Sequence, residues 1–254
     1  MEVHAHTHTE RKKWRHYLWE FLMLFLAVFC GFLAENWREH IVEQQRETVL
    51  MKSMLKDLRA DTTFFGQMTR FISSSNLHTD SLIMLIKNNN NWDASAKEIY
   101  QQQVWTYSYY KAIYSDRTIE QLKNSGNFRL IRNSEVSDAI IAYDGFVRNF
   151  VIAMQDEAVM GKWKKVDDCA AGIFKSSVFR GWMMEWINGV PANPVVQLPL
   201  APYFLSNDKK QIDIYINLLD EYAVVNDWFI QNTQLAVRQA SSLDSLIKKE
   251  YHLK

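Results

Sequence analysis

Residues that interrupt helices are scarce in this 254-residue chain, which contains only eight glycines and four prolines. Leu, Met, Gln, Glu and Lys, which favour helices, are frequent. Neither an alternation of strands and helices nor a series of short strands can be recognised. The sequence therefore predicts an all-α fold, and a 13% content of aromatic residues argues against a disordered chain.

An excess of either charge is also lacking, because 29 Lys and Arg residues balance 29 Asp and Glu residues. Composition therefore gives no reason to expect nucleic acid as a partner. Only two cysteines occur, Cys30 in an apolar stretch and Cys169 far beyond it. Since these two positions are expected in different environments, no disulfide is predicted.

Motifs of familiar catalytic and cofactor sites are missing. We find no GxSxG, HExxH, P-loop, dinucleotide fingerprint or CxxC sequence. The acidic pairs Asp167-Asp168 and Asp220-Glu221 are expected to face solvent, because adjacent residues of a helix point apart and cannot share a proton. We therefore predict that the chain is not an enzyme and has no catalytic residues, no cofactor and no metal centre.

Two groups of side chains leave alternatives open. His4, His6 and His8 alternate near the N-terminus, and on an extended segment they would face one side and could bind zinc. A structural zinc site usually needs four ligands fixed by a fold, which favours a disordered polar tail. Aromatic clusters could line a ligand pocket, although core packing is the commoner explanation. The clusters consist of Trp105, Tyr107, Tyr109, Tyr110 and Tyr114, and of Trp182 and Trp186.

The most distinctive stretch is apolar and covers residues 21–34, FLMLFLAVFCGFLA. Extended back to Tyr17, it has eighteen residues and one charge, Glu20. A helix of that length measures about 27 Å, close to the roughly 30 Å hydrocarbon core of a bilayer. Residues 17–36 are therefore predicted to form a single transmembrane helix, with the lipid bilayer as a partner.

Aromatic residues mark both ends of this segment, and such rings favour the headgroup level of a membrane. The predicted interface anchors are Trp14, Tyr17, Trp19 and Trp37. Two alternatives fit less well. A cleaved signal peptide would need small residues before the cut, but Phe32 lies three residues before a cut after Ala34. A buried core helix would explain a short apolar run, but not the aromatic and cationic flanks.

The charges on either side of the segment predict its orientation. Residues 1–16 contain four Lys and Arg residues and two acids, whereas residues 35–51 contain two and four. Because cationic flanks stay in the cytoplasm, residues 1–16 are predicted to be a cytoplasmic tail. Residues 37–48 then form a helical stalk. Residues 49–254 form a helical extracytoplasmic domain, a multi-helix bundle that lies in the periplasm if the cell is Gram-negative.

One face of the predicted membrane helix has small side chains and a single carboxyl group. Residues at spacings of four, three, four and three share this face, namely Glu20, Leu24, Ala27, Gly31 and Ala34. The Ala27–Gly31 pair permits close approach of another helix, and a carboxyl group in a membrane is costly unless it is paired or reaches the interface. We predict that this face associates with another copy or with another membrane subunit. The alternative is that Glu20 only marks the cytoplasmic interface beside Trp19.

Apolar periodicity predicts the helices of the remaining chain. The stalk is expected to continue into a helix that ends at residues 73–76, and a short helix covers residues 80–87. A helix is predicted over 94–115, followed by a helix that Asp116 caps, that runs through Lys123 and that has Gly126 at its C′ position. An extended link over 128–131 then leads to a helix that starts at Asn133 or Ser134. The remaining predicted elements are a less regular helical region over 161–187, a loop with all four prolines over 188–207, and a final helix over 208–249.

The same periodicity predicts which side chains are buried. The first helix is expected to bury Met51, Met54, Leu55, Leu58, Phe65, Met68 and Ile72. The helix over 94–115 is expected to bury Ile113 among others, and the helix after Asn133 is expected to bury Val136, Ile140, Tyr143, Val147, Phe150 and Met154. Two adjacent apolar rows on the final helix predict a broad buried face, as in a multi-helix bundle.

A family resemblance supports the membrane assignment. Residues 6–36, HTHTERKKWRHYLWEFLMLFLAVFCGFLAEN, resemble the N-terminal signature of an uncharacterised family of single-pass membrane proteins from Bacteroidota-type bacteria. Residues 118–143, TIEQLKNSGNFRLIRNSEVSDAIIAY, are similar to a second block of that family. The resemblance implies a protein of the bacterial inner membrane with a helical outer domain, and it implies no activity and no functional residues.

Two functions of different classes follow from these observations. The first is a non-enzymatic scaffold or accessory subunit of a membrane complex that assembles through its membrane helix. The second is a sensor that binds a small ligand among the aromatic helices and signals through a partner, since the tail is too short for an output domain. A pocket beside Trp105, Tyr109 and Trp182 would favour the sensor, and a solid core would favour the scaffold.

Overall fold

The computed structural model describes residues 14–89, 91–107, 109–187, 198 and 200–253, except for the side chains of residues 181, 182 and 184–187. The chain divides into two compact units, Met1–Leu50 and Met51–Lys254. The described residues form helices and no strand, with one isolated bridge between Phe174 and Phe204. The predicted all-α fold is therefore confirmed.

The first helix, α1, is continuous over Trp14–Asn88. In the first unit, every side chain of its apolar segment (residues 17–36) is exposed. An 18-residue window of this helix has a mean hydropathy of 2.0, and none of that window is buried in the protein. Among the described residues, one helix is therefore long and apolar enough to cross a membrane. A buried core helix would be covered by other residues, whereas the described residues leave every side chain of this segment exposed.

The predicted end of the first helix at residues 73–76 is wrong, because α1 continues through this polar stretch to Asn88. The Ser75 hydroxyl donates to the Trp105 carbonyl oxygen over 3.1 Å. The side-chain amide of Asn76 donates to Asp227 over 2.8 Å and to the Ala223 carbonyl oxygen over 3.3 Å. These side chains bond to other elements instead of competing for their own backbone, so the helix persists. The predicted short helix over 80–87 is the last part of α1.

The predicted helix over 94–115 is shorter than expected. A 3₁₀ turn over Trp92–Ser95 leads into α2, Ala96–Thr106, and residues 109–116 are an irregular segment that we call the strap. The strap is held by side chains of other elements, since the Ala112 amide donates to Gln155 over 2.6 Å. With the helix interrupted, Ile113 is 63% exposed instead of buried.

The next helix, α3, covers Arg117–Asn124. Asp116 occupies its N-cap position but makes no capping bond, because its carboxylate accepts from Arg148 over 2.9 Å. Gly126 has a φ of +66°, which agrees with its predicted position just after the helix and suits a residue without a Cβ atom. The extended link predicted over 128–131 is wrong, since Asn127–Leu130 form a 3₁₀ turn.

The helix α4, Ser134–Phe146, begins where the sequence predicts. The Asn133 side chain caps it by accepting from the amide of Glu135 over 2.8 Å. Two π-helical segments follow, Val147–Ile152 and Gln155–Val159. Each π turn adds a residue and rotates the side chains that follow. Val151 is therefore buried where Phe150 was expected, and Phe150 is 52% exposed.

The described residues of the second unit contain three further helices, namely α5 over Met160–Ala170, α6 over Ser176–Ile187 and α7 over Lys209–Glu250. Asp208 caps α7 by accepting from the Gln211 amide over 3.0 Å, in agreement with the predicted start. α7 packs against α4, α5 and both π segments. Of the predicted proline loop, Pro191, Pro194 and Pro199 lie outside the described residues.

Within the second unit, α7 lies antiparallel to α1. Three contacts follow the two helices in opposite directions, and they join Arg59 to Asp244 at 3.6 Å, Asn76 to Asp227 at 2.8 Å and Lys87 to Asp220 at 3.7 Å. The predicted apolar row of α1 is buried in this unit, in residues Met51, Met54, Leu55, Leu58, Phe65, Met68 and Ile72. This row and the broad face of α7 are part of the core, to which α2, α3, α4 and α5 also contribute buried side chains.

Gly126→Ala is expected to lower the free energy of unfolding by about 1–2 kcal/mol, because a Cβ atom is strained at positive φ. Gly145→Ala is the matched control. Gly145 lies inside α4, where an added Cβ would meet no atom within 4 Å, and alanine there should raise the unfolding free energy by up to about 1 kcal/mol. Denaturant titration of the full chain in detergent measures both, and equal effects would contradict this assignment.

Candidate functional site

The predicted interface anchors and association face all lie on the first unit's part of α1. Trp14, Tyr17, Trp19 and Trp37 are exposed at the two ends of the apolar segment. The association face is exposed as well, at Glu20, Leu24, Ala27, Gly31 and Ala34. A Cβ atom added at Gly31 would meet no atom within 4 Å, so another helix can approach this position without displacing any described residue.

Glu20 has a partner that the sequence analysis did not identify. Its Oε1 lies 3.1 Å from Nε2 of His16, one turn earlier on the same helix. Such a contact lowers the cost of placing a carboxyl group beside a membrane, because part of its hydrogen bonding is supplied within the helix. It also lies at the end of the apolar segment, where a polar pair can reach the headgroup level.

A second group of polar residues is buried in the second unit. Asp57 and Asp61 of α1 are 5% and 1% exposed. Asp57 accepts from the Thr118 amide over 3.0 Å and from Arg117 over 2.9 Å. It therefore caps α3 from a neighbouring helix, since it satisfies an amide that the helix itself leaves free.

Asp61 connects the strap to α4. It accepts from the Ser115 amide and from the Tyr143 hydroxyl, both over 2.8 Å. Burial raises the pKa of Asp61, although these hydrogen bonds oppose the shift. Burial also raises the pKa of Tyr143, and the nearby Asp61 charge raises it further, so its hydroxyl keeps the proton that it donates.

Asp144 of α4 is the third buried carboxylate, at 4% exposure. It accepts from Lys123 over 2.5 Å, from Arg148 over 2.9 Å and from the Tyr114 hydroxyl over 3.0 Å. Burial alone would raise the pKa of Asp144, but these hydrogen bonds lower it below its ordinary value. Arg148 extends the network to Asp116 and Glu120.

The chemistry of this network is structural. Its three carboxylates are almost fully buried, and each accepts from backbone amides, cations or tyrosine hydroxyls. They satisfy the strap and the start of α3, whose amides would otherwise be unpaired. A signal for the network is present in the sequence, because Asp57 and Asp61 occupy positions inside the apolar row between Met54 and Phe65.

The aromatic clusters are packed rather than open where their side chains are described. Trp105 stacks on His78 with ring centroids 4.3 Å apart, and Tyr109 lies 5.8 Å from Trp163. The cavity that Tyr109 lines has a volume of about 10 Å³, which is far below that of a small-molecule site. The side chains of Trp182 and Trp186 lie outside the described residues.

The acidic pairs have separate surroundings. Glu221 is paired with Lys162, and its neighbour Asp220 lies 3.7 Å from Lys87. Partial burial raises the pKa of Asp167, and the charge of Asp168 adds to the effect. Among the described residues, no group of three or more His, Cys, Asp and Glu side chains is arranged to hold a metal ion.

An exposed apolar patch lies on the second unit where α1 and α7 run side by side. Leu77, Val224 and Trp228 are each about two-thirds exposed. They share one side of the helix pair. Asn76 bonds to Ala223 and to Asp227 on α7. Leu77 is the residue after Asn76, and Val224 and Trp228 are the residues after Ala223 and Asp227. Because the two helices are antiparallel, the residue that follows a contact residue points to the same side on both helices. Contiguous exposed apolar residues of this kind mark interaction surfaces.

Comparison of the chain with models of protein families, with curated proteins and with solved structures found no match. The functional interpretation therefore depends on the geometry of the apolar segment and of the second unit.

Opposite pKa shifts predict opposite pH dependence for two isosteric variants. The lowered pKa of Asp144 gives stability that is present above the unfolded pKa, near pH 4, and is lost as the pH falls. Asp144→Asn should therefore destabilise the protein more as the pH rises from about 3 to about 6. Denaturant titrations across this range measure the change.

Asp61→Asn is the paired variant. A raised folded-state pKa gives stability that is fully present below the unfolded pKa and is lost as the pH rises through the folded pKa. The destabilisation caused by Asp61→Asn should therefore shrink over the same pH range. Parallel pH profiles for the two variants would contradict the assigned environments of these carboxylates.

Proposed function

We propose that this protein is a non-enzymatic scaffold or accessory subunit of a membrane complex, anchored in the bacterial inner membrane by residues 17–36. The observation that carries the proposal is the exposed apolar segment of α1, which no described part of the chain covers. Such a surface is stable only in a non-aqueous environment.

The proposed orientation places residues 1–16 in the cytoplasm and residues 49–254 in the periplasm. Its basis is the excess of Lys and Arg before the apolar segment. The proposed interface anchors are Trp14, Tyr17 and Trp19 at the cytoplasmic end and Trp37 at the other end, where aromatic rings fit the headgroup level.

Assembly is proposed to involve the small face of the membrane helix. Lipid offers no hydrophobic drive for helices to associate, so close packing and polar contacts must supply the attraction. Gly31 gives the close approach, and the Glu20 carboxyl group, which contacts His16, lies at one end of the same face. The exposed patch of Leu77, Val224 and Trp228 adds a second surface that a partner can cover.

The sensor alternative finds less support. Its aromatic cluster around Tyr109 encloses a cavity of only about 10 Å³, whereas ligand pockets measure roughly 300–1,000 Å³. A shallow groove of about 450 Å³ lies near Trp92 and Ile212. It is open, and Trp92 is mostly buried against Phe204 rather than offered to a ligand. We therefore favour the scaffold.

Gly31→Leu is expected to weaken association of the membrane helix by roughly 1–3 kcal/mol, because a bulky side chain would hold the two backbones apart. Phe25→Leu is the matched control, since Phe25 lies on the opposite, lipid-facing side and should have little effect. Disulfide cross-linking of single cysteines at positions 24, 27 and 31, in a Cys30→Ser background, reports the contact in native membranes.

Cysteines at positions 25, 29 and 32 serve as the comparison set. Stronger cross-linking at 24, 27 and 31 supports the proposed face. Equal cross-linking on both sides, or none anywhere, would mean that the small face is incidental and that Glu20 only marks the interface.

A reporter fusion tests the proposed orientation. An enzyme that is active only in the periplasm, fused after Lys254, should be active, because the cationic flank of residues 1–16 holds the N-terminus in the cytoplasm. The matched fusion carries a reporter that is active only in the cytoplasm and should be silent. The reverse result would invert the orientation.

A further inference from the structure

A small cavity lies where the strap meets α1, α7 and the second π segment. Its volume is about 10 Å³, and the residues of its lining that carry polar side chains are Ser75, Tyr109, Tyr110, Gln155, Tyr222 and Asn226. Two atoms of this lining are buried and have no hydrogen-bond partner within the described residues, namely the hydroxyl oxygen of Tyr109 and Oδ1 of Asn226. Buried polar atoms of this kind are costly when they remain unpaired.

The surrounding bonds fix the orientation of the Asn226 amide. Its Nδ2 donates to Oδ1 of Asn76 over 3.0 Å. The Asn76 amide nitrogen is itself engaged, because it donates to Asp227 and to the Ala223 carbonyl oxygen. Reversing the Asn226 amide would place two oxygens against each other, so Oδ1 is the atom left without a donor.

The Tyr109 hydroxyl offers the complementary chemistry. Burial raises the pKa of Tyr109 to about 12, with a further contribution from the charge of Asp156. The hydroxyl therefore keeps its proton at neutral pH and acts as a donor. One unpaired donor and one unpaired acceptor thus belong to residues that line the same cavity.

We propose that this cavity is a binding site for one structural water molecule, which accepts from the Tyr109 hydroxyl and donates to Oδ1 of Asn226. The volume of the cavity fits one water molecule, which needs roughly 10–15 Å³ of accessible space. A second acceptor is available in Ser75, whose hydroxyl hydrogen is used in its bond to the Trp105 carbonyl oxygen. The water would connect the strap to the α1–α7 pair.

The sign of one substitution distinguishes an occupied site from a dry one. With the water in place, Tyr109→Phe removes one of its partners and should lower the Tm of the full chain in detergent by about 2–4 °C. In a dry cavity, the same change removes an unpaired buried hydroxyl and should raise the Tm. A rise or an unchanged Tm would overturn the proposal.

Two controls make the test specific. Tyr203→Phe deletes the same atom from a half-buried tyrosine that does not line the cavity, and it should leave the Tm nearly unchanged. A monovalent cation is the other occupant of similar size. The Tm difference between wild type and Tyr109→Phe should therefore be the same in sodium, potassium and choline salts, and a difference seen only with one metal cation would overturn the assignment to water.

Discussion

The apolar segment of α1 imposes the main physical constraint on this protein. Residues 17–36 form a helix whose side chains are exposed and almost entirely apolar. Water is an unfavourable environment for such a surface, and no described part of the chain shields it. A bilayer matches its length, and the aromatic rings at both ends match the two headgroup regions. The proposed location follows from this requirement, whereas the proposed orientation depends on the flanking charges and the proposed assembly on the small face of the helix.

The second unit depends on a different kind of interaction. Its strap has no regular secondary structure, yet its amides are buried against helices and need partners. Asp61 and Gln155 supply these partners, and Asp57 caps the helix that follows. Carboxylates are expensive to bury, and here the cost is offset because each accepts several hydrogen bonds. This arrangement explains polar residues in the middle of an apolar row without invoking a reaction.

The features that the sequence predicted correctly are those determined locally. The Asn133 cap, the turn at Gly126 and the start of α7 at Asp208 depend on neighbours within a few residues. The failures involve partners that are distant in sequence. Asn76 remains helical because it bonds to Asp227, 151 residues away. The strap is irregular because Asp61 and Gln155 hold it. No local pattern indicates the π turns that exchange Phe150 for Val151, whereas Asp57 and Asp61 within an apolar row were a readable sign of a buried network.

The central claim is that residues 17–36 remain in the protein and hold it in a membrane. The most direct test is mass spectrometry of the protein from cell membranes that have been washed at alkaline pH, with peptide mapping across residues 17–36. We expect that the protein stays in the washed membranes and that peptides from this segment are recovered from it. Release into the wash, or a protein whose first residue lies beyond Ala34, would contradict the account.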